Sequence, residues 1–109
     1  MKIIGEYREL CNNNKYPSIK ENISKIEMVN KKQILKYLKE GKKTMAAPSI
    51  RRDIFTGNII RGEYVVMDDG EFAWTSEVIY YVEKYNLILP DEFINHVLNR
   101  VEKIKFMLI

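Results

Sequence analysis

The chain has one cysteine, Cys11, in 109 residues, so no disulfide can form within it and the thiol content fits a reducing compartment. It has a single histidine, His96, which excludes a zinc site built on several imidazoles. No apolar run approaches the roughly 20 residues that a membrane-spanning helix needs. The opening MKIIGEYREL meets charge too soon for a signal peptide, and a cytoplasmic location is the expectation. Gly-rich phosphate loops, GxSxG elbows and HExxH pairs are all missing. Charge of one sign is also scarce: 18 basic against 15 acidic side chains leave +3, spread in short clusters along the chain. A nucleic-acid binder more often gathers its cations into one stripe, because each neutralised phosphate adds to affinity.

What is present describes a folded protein. Hydrophobic residues make up 46% and charged residues 30%, a globular balance in a chain long enough for one core without staples. The organising stretch is Glu63–Tyr85, in which two strand-like runs at about 63–67 and 71–74 meet at Asp68-Asp69-Gly70. Asp-Gly between apolar runs is a strong hairpin signal, since glycine accepts positive φ. The alternation of Glu71-Phe72-Ala73-Trp74 directs Phe72 and Trp74 to one face, and Trp74 is expected against Phe93 and Val97. Thr75 or Ser76 can then cap a helix over 76–85, with Asn86 as its stop.

Asn30 is placed to cap a helix over Lys31–Glu40 with Ile34, Leu35 and Leu38 as its apolar stripe. Gly41 suits the left-handed position that ends such a helix. Lys42–Ala47 reads as a strand closed by Pro48-Ser49, and 50–58 as an extended segment ending in a turn. Pro90 starts a last helix with Phe93, Ile94, Val97, Leu98 and Val101 inward and His96 and Arg100 outward. Residues 2–10 fit a short strand or a helical turn, 25–28 an irregular strand, and the apolar 106–109 should pack down. Strands gathered ahead of two terminal helices imply a single α+β domain, a small antiparallel sheet with helices on one face.

Chemistry is harder to find. Asp68, Asp69 and Glu71 crowd three carboxylates into four residues but lack the ligand offsets of a calcium loop, so a charged turn is the favoured account. His96 and Cys11 read as bystanders. No catalytic residue, cofactor or metal ligand is assigned, and the chain is expected not to be an enzyme. Arg51, Arg52 and Asp53 in a loop, Asp68 and Asp69 at the hairpin tip, and Tyr80 off its helix stripe are the expected partner-binding side chains.

The segments YPSI at 16–19, ILKYLKEGK at 34–42, RDIFTG at 52–57, DDGEFAW at 68–74 and YYVEKYNLILPDEFINH at 80–96 together resemble a family of small bacterial proteins. The resemblance covers most of the chain, with Asp68 standing where the family pattern has Thr before Asp-Gly. The family, itself uncharacterised, is linked to polymorphic-toxin and contact-dependent inhibition loci. The resemblance therefore implies an immunity protein whose partner is a protein, a cognate toxin domain. Two other functions compete with it. One is a nucleic-acid or regulatory module using Lys31, Lys32, Lys42, Lys43, Arg51 and Arg52. The other is an enzyme centred on Asp68, Asp69 and Glu71.

Overall fold

The computed structural model describes residues 1–107, with the side chain of Phe106 excepted. It is an α+β domain built on a four-stranded sheet with the order β1-β4-β3-β2. The strands are β1 (Lys2–Ile3), β2 (Lys42–Ala47), β3 (Tyr64–Asp68) and β4 (Phe72–Thr75). The helices are α1 (Arg8–Cys11), α2 (Lys31–Lys39), α3 (Ser76–Tyr85) and α4 (Asp91–Met107), with a single 3₁₀ turn at Ile19–Glu21. Residues 2–11 thus supply both a strand and a helical turn.

The β3–β4 hairpin lies where Asp-Gly placed it, in the register Met67↔Trp74 and Asp68↔Ala73. Gly70 sits at φ +96°, a conformation that a Cβ opposes. The sheet is antiparallel except at one edge, where β1 joins β4 in parallel, which corrects the all-antiparallel expectation. Lys2 and Ile4 donate their amides to Glu71 O at 2.9 Å and Ala73 O at 2.8 Å. Most of the chain separates these two strands, and that length allows the parallel crossover a hairpin cannot make.

Met67, Phe72 and Trp74 point to one face, where the helices gather. Trp74 is 1% exposed, 5.6 Å between ring centroids from Phe93 of α4 and 6.1 Å from Tyr37 of α2. Its Nε1–H donates to Leu38 O at 3.0 Å, so the indole is buried without leaving its polar atom unpaired. Ile34 and Leu38 of α2, Val78, Tyr81 and Val82 of α3, and Val97 of α4 complete the core.

Two helix ends differ from expectation. Asn30 makes no side-chain cap at α2, and Gly41 does not adopt left-handed φ. Gly41 is required for space instead: a Cβ there would lie 2.6 Å from Trp74 Cζ2. Left-handed helix stops are instead Asn12 after α1, at φ 50°, and Asn86 after α3, at φ 54°, and Thr75 accepts Val78 N–H at the start of α3. Residues 25–28 form no strand. Their neighbourhood is tied instead to the end of α3 by Ile88 N–H to Asn22 O (2.7 Å) and Asn86 Nδ2 to Ser24 O (3.2 Å). The connector alternates, Leu87 and Leu89 inward and Ile88 outward. Of the apolar tail, Met107 is exposed on α4, and 108–109 lie outside the described residues. No described helix is long and apolar enough to cross a membrane.

Candidate functional site

The side chains expected to meet a partner occupy three separate bonded arrangements. The 50–60 loop folds over α3 because Asp53 turns inward, where it is 1% exposed. Its Oδ1 accepts the amides of Phe55 (2.7 Å) and Thr56 (3.1 Å), closing the turn that Asp53-Ile54-Phe55-Thr56-Gly57 requires. Its Oδ2 accepts the hydroxyls of Tyr80 at 2.5 Å and Tyr85 at 2.6 Å, with Lys84 Nζ at 3.7 Å. Burial alone would raise the Asp53 pKa, but the tyrosine and amide donors outweigh it and hold the carboxyl at about 2. The same contact pushes the Tyr85 hydroxyl well above its usual range, after burial as the larger cause. Tyr81 joins from the core side, accepting Ile54 N–H at 3.1 Å. Asp53 and Tyr80 are therefore fastenings between a loop and a helix.

Arg51 is committed as well. Its Nε and one terminal nitrogen hold the Glu77 carboxylate at 3.0 and 2.8 Å, and it also reaches Leu10 O at 3.2 Å. Glu77 is buried, so this two-pronged pair fixes both the loop and α1 to the start of α3. The guanidinium lies 5.2 Å from the Tyr64 ring centroid. Arg52 remains exposed and donates to Gly57 O at 3.0 Å.

At the opposite end of β3, Asp69 gathers the hairpin tip onto α2 and α4. Its Oδ1 accepts the amides of Glu71 and Phe72, at 2.9 and 2.8 Å. Its Oδ2 accepts the Tyr37 hydroxyl at 2.5 Å and lies 2.8 Å from His96 Nε2. Arg100 donates to Asp69 O at 3.1 Å and to the Tyr37 hydroxyl at 3.2 Å. Burial raises the Asp69 pKa, yet Tyr37, the two amides and His96 hold it at about 2. Burial and the bond to Asp69 push Tyr37 up to about 12. Asp68 only closes the turn, accepting Gly70 N–H at 3.0 Å.

His96 was expected on the wet face of the last helix, but its side chain is 13% exposed and clasped between carboxylates. Its Nδ1 is 3.4 Å from Glu71 Oε2, so both ring nitrogens face acids and neither faces a hydroxyl or thiol nucleophile. No protein-family model, curated protein or solved structure matches this chain. The sequence signal that would have exposed the His96 clasp is its spacing of four from Arg100, which puts both on one face of α4 above the acidic hairpin tip.

Chemically, these arrangements hold segments together. Every buried side-chain nitrogen and oxygen among the described residues has a partner, and no described group of three acids, histidines or cysteines is placed to hold a metal. Apolar side chains are also left exposed. Ile26, Val29 and Ile88 are 80%, 89% and 53% exposed along a groove of about 360 Å³ between the 24–30 loop and the 86–91 connector. Met28 and Ile94 also line it, over a floor of Ile34, Leu87 and Leu89.

Proposed function

We propose that the protein is a non-enzymatic interaction protein of the toxin-immunity kind, which neutralises a protein partner by covering its functional surface. The observation that carries this is the groove rimmed by Ile26, Val29 and Ile88: three large apolar side chains held open to water on one surface. Grouped exposure of that kind costs solubility and is characteristic of surfaces that another protein covers. The resemblance of the YYVEKY and LPDEF segments to immunity-type proteins supports the same partner class. The groove moves the contact away from Arg51, Asp53, Asp69 and Tyr80, whose polar atoms are engaged internally. Arg52 and Asp68 stay at the rim of their loops, where partner contacts would add specificity more than affinity.

The competing nucleic-acid function loses support from the same geometry. Lys31 donates to Glu83 O (3.0 Å) and Asn86 Oδ1 (2.7 Å), Arg51 is held by Glu77, and Arg52 donates to Gly57 O, so three of the six basic side chains make internal bonds.

The test is co-expression with the product of each adjacent reading frame in the source genome. The expected result is rescue of growth from one toxic product and a stable complex with it. Failure to rescue or bind any adjacent toxic product would reject the assignment.

A further inference from the structure

The outer edge of β2 is open. Among the described residues the strand is bonded to β3 alone, Lys42 to Ala46 are all exposed, and Ala47 is half-buried. On an antiparallel edge strand, alternate residues aim N–H and C=O away from the sheet, so a row of donors and acceptors faces water. Natural edges are blunted against accidental pairing, and β2 carries three such devices: Lys42 and Lys43, a register irregularity between Lys43 and Met45, and Pro48 directly after the strand.

Charge makes these guards selective. Residues 31–43, from α2 into β2, hold six lysines and one glutamate, a net of +5 in a chain whose total is +3. The rest of the chain is therefore net negative. Among the described residues no carboxylate comes within 4 Å of Lys32, Lys36, Lys42 or Lys43. A second copy pairing antiparallel with this edge would set Lys42 and Lys43 opposite Ala47 and Ala46, leaving both charges without a carboxylate partner. An acidic strand meets the opposite field. Beyond the lysines, Met45-Ala46-Ala47 offers an apolar end with small side chains that lets a neighbouring strand approach.

We propose that β2 receives an extended acidic segment of the partner protein as a fifth strand. Main-chain hydrogen bonds to Lys42–Ala47 supply affinity. Carboxylates opposite Lys42 and Lys43, and β-branched side chains opposite Met45–Ala47, supply specificity. This rests on the interaction-protein function proposed above and names the chemistry of the partner's contacting element.

The probe is an acetylated, amidated peptide of matching length, Thr-Val-Thr-Val-Glu-Glu, whose glutamates reach the lysine end in antiparallel pairing. Amide shifts and hydrogen-exchange protection of the whole protein are followed as it is added. The expected result is protection confined to 42–47 and binding about tenfold weaker for the Lys-Lys version of the peptide. The double charge swap Lys42→Glu/Lys43→Glu should reverse that preference, and it touches only exposed side chains. Equal binding by a peptide N-methylated at every residue would overturn the proposal, as would shifts mapping elsewhere. Dimerisation of the protein through 42–47 would name a second copy as occupant and overturn it too. Loss of the peptide effect with an intact co-expressed complex removes this inference alone, whereas a missing complex removes the function it rests on.

Discussion

One carboxylate, Asp53, accepts four hydrogen bonds at 2.5–3.1 Å, two from amides of its own 50–60 loop and two from tyrosine hydroxyls that fasten the loop to α3. Asp53→Ala leaves two hydroxyls and two amides without their acceptor in a closed site, and should cost about 3 kcal/mol. Arg52→Ala, which removes one exposed contact, should stay within about 0.5 kcal/mol. Urea midpoints of the two variants check this, and equal midpoints would contradict it. Asp53 and Asp69 are also acid-sensitive. Each is held at about 2 against an ordinary 3.8, and a pKa lowered by folding adds stability above the unfolded value that is lost as pH falls through the folded one. Stability should therefore be full above about pH 5 and fall steeply from about pH 4 to pH 2. In Asp69→Asn, part of that acid loss should vanish, as read by denaturant titrations across this range.

Among the elements, the hairpin is the best guide to what a sequence discloses. Asp-Gly and the alternation after it located β3 and β4 to within a residue, and Thr75 and Asn86 located both ends of α3, because each signal acts on its own neighbours. Gly70→Val should therefore disrupt the turn more than Asp68→Asn, since Asn keeps the acceptor for Gly70 N–H while Val resists φ +96°. Comparable melting temperatures for the two would contradict this. Gly41 illustrates the opposite case. Local rules assign it a left-handed helix stop, whereas its role is set by an indole 33 residues away in sequence. Gly41→Ala should cost about 1–3 kcal/mol by displacing a ring pinned to Leu38 O, although its backbone geometry is ordinary. Trp74→Ala should cost about 3–5 kcal/mol, and the parent fluorescence should be blue-shifted and shielded from quenchers. A red-shifted, freely quenched emission would contradict the burial of Trp74.

The candidate site was far less legible than the fold for the same reason. Arg51, Asp53, Asp69 and Tyr80 are polar residues in loops or off a helix stripe, and composition cannot tell a partner contact from an internal one. The deciding facts are non-local: Glu77 and Leu10 for Arg51, Tyr80 and Tyr85 for Asp53, and Tyr37 and His96 for Asp69. β1 escaped strand pairing rules because its partner, β4, follows about 70 residues later.

At the scale of the whole molecule, the described polar clusters bond internally, while the Ile26–Val29–Ile88 groove and the basic edge of β2 face water. The proposed partner contacts lie on these surfaces. The most direct measurement is calorimetric binding of the partner from the adjacent reading frame to three folded variants. Val29→Asp/Ile88→Asp places charges in the groove and should weaken binding at least tenfold, about 1.4 kcal/mol. Arg52→Ala and Asp68→Asn should each change it by less than about threefold. Parent-like binding by the groove variant, with loss in Arg52→Ala or Asp68→Asn, would place the contact on the polar loops and contradict the account.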